Sequence, residues 1–190
     1  MKNQNFTGDF AENTAFSENI AVENGKNLVL EKMYPSHLPK VMKMQETIMA
    51  KLPDPRWYFP SDEGEFLESI NTGYTYALME GEKMAAFAMC IPHTLRQDKS
   101  YAKKCDLPTE GSYDFCDIMV HPDYRKKGIH SFFLTFFHKL AKKEGGTSIY
   151  ATCDPENAPS FRNFEKAGYR CFVTKPAYDG RMRRYYCVKL

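Results

Sequence analysis

The stretch from Ile129 to Lys143 constrains the fold of this chain more than any other. Its apolar side chains recur at the i, i+3, i+4, i+7 spacing that lines one face of a helix. These side chains are Ile129, Phe132, Phe133, Phe136, Phe137, Leu140 and Ala141. A helix with four phenylalanines on one side is stable only when that side packs against another layer. The sequence therefore predicts a helix that lies on a sheet.

Shorter patterns on both sides of this helix predict the rest of the fold. Apolar runs predict strands at 28–30, 74–80, 83–91, 113–120, 147–153, 169–174 and 184–189. Helical spacing predicts further helices over 38–52, 63–70 and 158–167. This order is typical of a single mixed α/β (α+β) domain, with a mostly antiparallel sheet of six to seven strands and about four helices. We expect the domain to span 27–190 and residues 1–26 to form a flexible arm, with a tight turn at Asn24-Gly25.

The composition excludes several classes of protein. The chain has 190 residues, and 26 Lys and Arg against 24 Asp and Glu give a net charge of +2, which argues against a nucleic-acid binder. Its apolar runs are too short to span a membrane, and the N-terminus lacks a signal-peptide core, so we expect a cytoplasmic protein. The six cysteines contain no C-x-x-C pair, so we expect neither a disulfide framework nor a metal site.

The segment from Asp117 to His130 carries the chemistry that is easiest to interpret. A strand ends, a basic loop with Arg125, Lys126 and Lys127 follows, and a long helix begins after Gly128. Unpaired N–H groups and partial positive charge at a helix N-terminus favour bound phosphate. From these residues alone, a phosphate cradle and a basic loop that merely precedes a helix remain equally open. The chain has neither a G-x-x-x-x-G-K-[ST] nor a G-x-G-x-x-G motif.

Two motifs at matching separation resemble the GNAT superfamily of N-acetyltransferases. The sequence Arg125-Lys-Lys-Gly128-Ile-His130 resembles the signature loop R/Q-x-x-G-x-G/A of that family. A second stretch, from Asn157 to Tyr169, resembles its motif N-x-x-[SA]-x-x-x-[YF]-x-K-x-G-[FY]. The resemblance covers residues from about 28 to 190 and implies a fourth and a fifth strand that splay apart, with a bulge in the fourth.

The resemblance also implies a reaction and a set of binding residues. It implies transfer of acetyl from acetyl-CoA to a primary amine by direct attack in a ternary complex. The acceptor is then a small amine or a peptide amine, no metal, nucleic acid or membrane takes part, and a homodimer is the commonest assembly. The implied cofactor-binding residues are Ile118, Met119, Val120, Arg125, Lys126, Lys127, Gly128, Ile129, His130, Asn157, Ser160 and Phe164. The backbone of Ile118 and Val120 pairs with pantetheine in this reading, and an N–H near Met119 polarises the thioester carbonyl.

Two residues depart from the family pattern. His130 stands where Gly or Ala is commonest, and Phe164 stands where many members carry a Tyr that protonates the leaving thiolate. Phe cannot donate a proton. The sequence therefore leaves open a second reading, a non-catalytic acyl-CoA-binding module of the same fold. A Cys-dependent hydrolase is a more distant rival, because it leaves the basic loop unexplained.

A base must remove the proton of the attacking amine, and two strand carboxylates are candidates. These are Asp114 and Asp117, and the resemblance favours Asp114, because several family members carry a Glu at that position. Regular strand alternation predicts that the two lie on opposite faces, so that only one faces the cleft. Either carboxylate is as readily explained by a structural bond. Trp57 and Tyr58 are candidates for a substrate wall or for core packing, and Arg181, Arg183 and Arg184 for an acceptor site or a solvated hairpin.

Overall fold

The computed structural model describes residues 17–22, 26–177 and 180–190. The strands of the described residues are β1 (Ser17–Val22), β2 (Lys26–Lys32), β3 (Thr75–Glu80), β4 (Lys83–Pro92), β5 (Ser112–Val120), β6 (Ser148–Cys153), β7 (Arg170–Pro176) and β8 (Met182–Lys189). The α-helices are α1 (Leu38–Met49), α2 (Glu63–Asn71), α3 (Ile129–Lys143) and α4 (Ala158–Lys166). Short 3-10 turns at Pro55–Trp57, His93–Leu95, Gln97–Lys99 and Lys103–Cys105 interrupt the two longest connections.

All of these strands belong to one sheet, in the order β1-β2-β3-β4-β5-β6-β8-β7. Every neighbouring pair is antiparallel except β5 and β6, which are parallel. This confirms the predicted mixed, mostly antiparallel sheet with four α-helices. The predicted fourth and fifth strands correspond to β5 and β6, because β1 precedes the first predicted strand. Within the described ranges, no helix is both long and apolar enough to cross a membrane.

Strand β1 lies inside the stretch for which the sequence predicts a flexible arm. Ser17 pairs with Glu31 and Val22 with Lys26, so β1 and β2 form an antiparallel pair at the edge of the sheet. Such pairing uses backbone groups, which a reading based on apolar side chains does not detect. Residues 1–16, and the turn predicted at Asn24-Gly25, lie outside the described residues.

The two faces of the sheet bury two separate apolar clusters. Helix α3 covers one face, where Phe133, Leu134 and Phe137 are fully buried among side chains of β4, β5 and β6. Helices α1 and α2 cover the other face through Val41, Phe66 and neighbouring residues. The apolar face predicted for the helix after Gly128 therefore packs on the sheet as expected.

Strand β5 separates from its neighbour β6 halfway along its length. It pairs with β6 only from Ser112, opposite Ser148, to Phe115, opposite Ala151, although β5 continues to Val120. This is the predicted separation of the two parallel strands. The sheet is open on that side of β5, and the gap faces the start of α3.

A bulge in β5 lies at the point of separation, also as predicted. Phe115 is opposite Cys90 of β4 and Asp117 is opposite Met89, so Cys116 is the extra residue. A bulge shifts the alternation of side chains by one position. Asp114 and Asp117 therefore lie on the same face of the sheet, and the prediction that they lie on opposite faces was wrong.

Replacing Phe133 tests the importance of the α3 contact. We expect Phe133→Ala to lower the free energy of unfolding by about 3–5 kcal/mol, because it leaves a cavity in the fully buried cluster. Thr135→Ala, at an exposed position of the same helix, should change it by less than about 0.5 kcal/mol. Urea denaturation monitored by circular dichroism measures both, and equal effects would contradict this account of the core.

Candidate active site

A cleft of about 1040 Å³ opens where β5 and β6 part. One end of the cleft is formed by the second half of β5, the start of α3 and helix α4. The other end is formed by the loop between α1 and α2 together with the 3-10 turns that follow β4. Asp117 lies between the two ends. The cleft therefore joins the predicted phosphate loop to the predicted substrate wall.

The free edge of β5 presents backbone groups to the gap. His121 N–H donates to the carbonyl of Ala85 in β4 at 2.9 Å, which fixes the alternation along this ladder. The N–H and C=O groups of Ile118 and Val120 consequently point away from β4, towards the gap, as the predicted pantetheine contact requires. Met119 is the exception among the predicted residues. Its backbone faces β4 opposite Phe87, and its side chain is buried, so its N–H does not face the cleft.

The loop before α3 has the backbone form of an anion site. Lys126 (φ +61°) and Gly128 (φ +73°) adopt left-handed conformations, with Lys127 between them. Successive N–H groups in such a loop converge on a concavity that accepts an anion. A Cβ placed on Gly128 meets no atom within 4 Å, so its α-carbon faces open space. Ile129, His130 and Ser131 follow in the first turn of α3, where N–H groups have no partner within the helix.

Basic side chains surround this loop. Arg125 is exposed and its Nε donates to the carbonyl of Val120 at 3.4 Å, which places the guanidinium at the end of β5. The ammonium of Lys127 lies 5.2 Å from the ring centre of Tyr124. The loop geometry and these charges together fit a diphosphate, so the residues present are those that coenzyme A needs at this position.

Helix α4 forms the opposite wall of this end. Asn157 caps the helix by accepting a hydrogen bond from the N–H of Ser160 at 3.2 Å, so its side-chain oxygen is occupied. Both residues line the cleft. Phe164 is almost fully buried, 5.8 Å from Phe115 and 5.7 Å from Tyr186 between ring centres. It belongs to the apolar core and contributes only ring surface to the site.

His130 and Phe164, the two residues that depart from the family pattern, contact each other. The ring of His130 stacks on Phe115 with centres 6.1 Å apart and meets Phe164 edge-on at 5.3 Å. Burial lowers the pKa of His130 to about 4, so the ring is neutral at physiological pH. Its Nδ1 lies 3.4 Å from the amide nitrogen of Asn163. Among the described residues Nε2 has no hydrogen-bond partner.

The candidate base Asp114 is fully buried beneath the cleft wall. Its carboxylate accepts hydrogen bonds from the N–H of Tyr101 at 3.1 and 3.2 Å and lies 3.0 Å from Nε of Arg96. Burial raises the pKa of Asp114 to about 6, although Arg96 and the Tyr101 N–H act to lower it. These contacts join the Asp114 carboxylate to the segment that follows β4, so they are structural contacts.

The candidate base Asp117 is half-buried and lines the cleft. The hydroxyl of Tyr58 donates to its Oδ2 at 2.8 Å. Burial raises the pKa of Asp117 to about 7, and the hydrogen bond from Tyr58 acts in the opposite direction. A carboxylate that titrates near neutral pH and faces the cleft has the properties of a general base.

Two residues that hold this arrangement were not identified from the sequence. Gln45, buried in α1, accepts a hydrogen bond from the N–H of Ser61 and donates to its carbonyl, and its Oε1 lies 3.1 Å from the Tyr58 hydroxyl. A glutamine inside the apolar face of a helix was the available signal. No sequence pattern indicated Arg96. It lies in a loop without regular periodicity, and it meets Asp114 only in the folded chain.

Arg183 differs from both interpretations that the sequence left open. It is 2% exposed, donates to Asp154 at 3.0 Å and to the carbonyl of Arg56 at 3.2 Å. It is therefore neither in a solvated hairpin nor free to hold an acceptor. Arg183 connects β8 to the end of β6 and to the loop that carries Trp57 and Tyr58. Burial of its charge is offset by the paired carboxylate.

Cys116 does not resemble a nucleophile. Its Sγ lies 2.9 Å from Nη1 of Arg96 and 3.0 Å from the carbonyl of Asp114. Burial raises the pKa of the Cys116 thiol to about 12 in spite of Arg96, so the thiol stays protonated. Because the thiolate is the reactive form, this geometry argues against a Cys-dependent hydrolase.

Comparisons with known proteins agree with this geometry. Residues 42–169 match the acetyltransferase (GNAT) family. No curated protein matches the sequence.

Solved structures share the fold at low sequence identity. An acetyltransferase of the GNAT family from Listeria monocytogenes has a TM-score of 0.67 and 14% identity, over 91% of this chain and 100% of that chain. The ribosomal-protein-S18-alanine N-acetyltransferase from Escherichia coli has a TM-score of 0.61 and 18% identity, over 84% and 92%. An aminoglycoside acetyltransferase in complex with coenzyme A and kanamycin has a TM-score of 0.64 and 16% identity, over 84% and 93%. At this identity the likeness concerns the fold alone.

Breaking the contact of Arg183 tests its role in holding the site together. We expect Arg183→Met to lower the free energy of unfolding by about 3–5 kcal/mol, because it leaves Asp154 buried without its partner. Adding Asp154→Asn should recover part of that loss. Urea denaturation of the two variants checks this, and an additive second loss would contradict the pairing.

Proposed function

The chain belongs to the acetyltransferase (GNAT) family, and we propose that it transfers the acetyl group of acetyl-CoA to a primary amine in a ternary complex. The observation that carries the proposal is one continuous cleft that joins an anion-binding loop, a free strand edge and a carboxylate with a pKa near neutrality. When bound, acetyl-CoA supplies an acetyl group activated as a thioester. Neighbours of the same fold include enzymes that act on a protein alanine and on an aminoglycoside.

The residues of the α3 end hold the cofactor in this proposal. Arg125 and the N–H groups from Lys126 to His130 bind the diphosphate. The backbone of Ile118 and Val120 hydrogen-bonds the pantetheine arm as a neighbouring strand does, which satisfies groups that β6 leaves unpaired. Asn157 and Ser160 contact the arm from α4, while Phe164 supplies apolar surface beneath it.

Asp117 is the base in this proposal, although the sequence favours Asp114. An amine must lose a proton as its nitrogen bonds to the acetyl carbon, and Asp117 accepts that proton directly or through water. The hydroxyl of Tyr58 orients the carboxylate. Asp114 has a positioning role in this proposal, because it holds Arg96 and the bulge in place. Coenzyme A leaves as a thiolate. With a thiol pKa of about 8.5, the departing sulfur does not need to be protonated, and Phe164 could not supply the proton.

A non-catalytic acyl-CoA-binding module remains the second candidate, and Phe164 is the observation that favours it. Binding and turnover separate the two. Release of free thiol from acetyl-CoA in the presence of amines supports the enzyme. Binding without turnover across a broad amine panel supports the module.

Gly128 provides the test of cofactor binding. We expect Gly128→Val to weaken acetyl-CoA binding at least about tenfold, because the side chain enters the space in front of the loop and strains a residue at φ +73°. Calorimetric titration with acetyl-CoA measures the affinity. Gly81→Val is the matched control, since Gly81 is also left-handed (φ +56°), also faces open space and lies in the turn between β3 and β4. Equal affinities for the two variants would rule out the loop as the diphosphate site.

The pH dependence of turnover tests the base. Because Asp117 must be ionised to accept a proton, we expect kcat to rise with pH, to reach half its maximum near pH 7 and to level off about one pH unit higher. Tyr58→Phe removes a hydrogen bond that favours the ionised form, so the rising limb should move to higher pH. Asp117→Asn should lower kcat by at least about 100-fold.

The control for the tyrosine change is Tyr34→Phe, at an exposed position before α1. Its profile should match that of the unchanged protein. A Tyr58→Phe profile with an unmoved limb would exclude Asp117 as the group that titrates.

A further inference from the structure

The acceptor end of the cleft has a largely apolar surface. Side chains of α1, β4 and the neighbouring loops form its floor and walls: Ile48, Leu52, Trp57, Phe59, Met89, Ile91 and Leu95. Leu95 is 49% exposed and Phe59 is 41% exposed, and both line the cleft beside the buried Met89 and Ile91. Exposed apolar surface that continues a catalytic cleft marks a place where an apolar group of a ligand binds.

The carboxylates of this end already have partners. Among the cleft-lining residues that the structure describes, Glu68 pairs with Lys99 at 2.7 Å and Glu65 accepts the N–H of Asp62 at 3.2 Å. The third carboxylate is Asp117, which accepts from Tyr58 and which we assign to the reacting amine. A second ammonium on the acceptor therefore has to compete with Lys99 for Glu68, and the other carboxylate, Glu65, is exposed and already accepts a backbone hydrogen bond.

The cations of this end add to that disadvantage. Arg96, Lys99 and Lys104 line the same wall. Arg96 is committed to Asp114 and to Cys116, and Lys99 to Glu68, so neither is available to bind an anion without losing that contact. Arg96 and Asp114 offset each other's charge, as do Lys99 and Glu68, so these pairs give a second ammonium no net attraction. The charge arrangement offers little to a second charged group of either sign.

An apolar surrounding also suits the reaction. Removal of an ammonium from water lowers its pKa, which increases the fraction of neutral, nucleophilic amine beside Asp117. An acceptor whose only charge is the reacting amine gains from this effect. A polyamine would have to bring a second charge into the same environment.

We infer that the acceptor is a primary monoamine whose single amino group reacts at Asp117 and whose remaining body is apolar, alkyl or aryl, and packs against Leu95, Phe59 and the floor beneath them. This inference rests on the proposed function, because it names the substrate class of the same site. It separates this chain from acceptors that carry several amino groups.

A matched set of three amines tests the inference. Pentylamine, 1,5-diaminopentane and 5-aminopentanoate have similar length and differ only in the far end, which is apolar, cationic or anionic. With acetyl-CoA as donor and thiol release as the measurement, we expect kcat/KM for pentylamine to exceed the other two at least about tenfold. From ethylamine to pentylamine it should rise about fourfold for each CH₂ that the cleft buries.

A charge placed in the apolar wall should reverse the preference. Leu95→Glu adds an uncompensated carboxylate, so the ratio of kcat/KM for pentylamine to that for 1,5-diaminopentane should fall at least about tenfold. Met49→Glu is the matched control, because Met49 is 42% exposed on α1 and outside the cleft. Its ratio should equal that of the unchanged protein.

The outcomes distinguish this inference from the proposed function. A wild-type preference for 1,5-diaminopentane or for 5-aminopentanoate overturns the inference and leaves acetyl transfer intact. So does a Leu95→Glu ratio equal to that of Met49→Glu. Binding of acetyl-CoA with no thiol release from any amine, polyamines and alanyl peptides included, overturns the proposed catalysis and the inference with it.

Discussion

The separation of β5 from β6 after Phe115 is the constraint on which the rest of this structure depends. Inside a sheet, backbone N–H and C=O groups are normally paired, and leaving them unpaired away from water is costly. Here Ile118 and Val120 direct theirs into a gap. The start of α3 lies at one end of that gap and Asp117 at the other. In the function that we propose, the amide groups along the arm of a thioester cofactor complete the ladder, so that one interruption of the sheet both binds the cofactor and places its reacting group.

The same interruption gives two aspartates different environments. The bulge at Cys116 puts Asp114 and Asp117 on one face, yet only Asp117 reaches the cleft. Burial raises the pKa of each. Asp114 has a guanidinium and a backbone N–H as partners, whereas Asp117 has a phenol. Two identical side chains three positions apart thus differ in their surroundings, and the function that we propose gives the chemistry to Asp117 alone.

Residues close together in sequence allowed most of the correct predictions. The apolar face of α3 and the basic loop before it are local patterns, and the structure has each where the pattern indicates. The family resemblance supplied the separation of the parallel strands. The faces of Asp114 and Asp117 could not be derived, because the register of a bulge depends on β4. The pairing of Arg183 with Asp154 joins segments 29 positions apart, and no local pattern encodes it.

The acceptor wall has a consequence for how such a chain can diversify. Phe59 and Leu95 lie in a loop and in a 3-10 turn, outside every ladder of the sheet, whereas the cofactor groups belong to β5 and the start of α3. Substitution of these two side chains leaves the ladders and the helix packing untouched. In the function that we propose, selection can therefore exchange one amine for another through a few side chains, while the groups that hold the acyl donor stay the same.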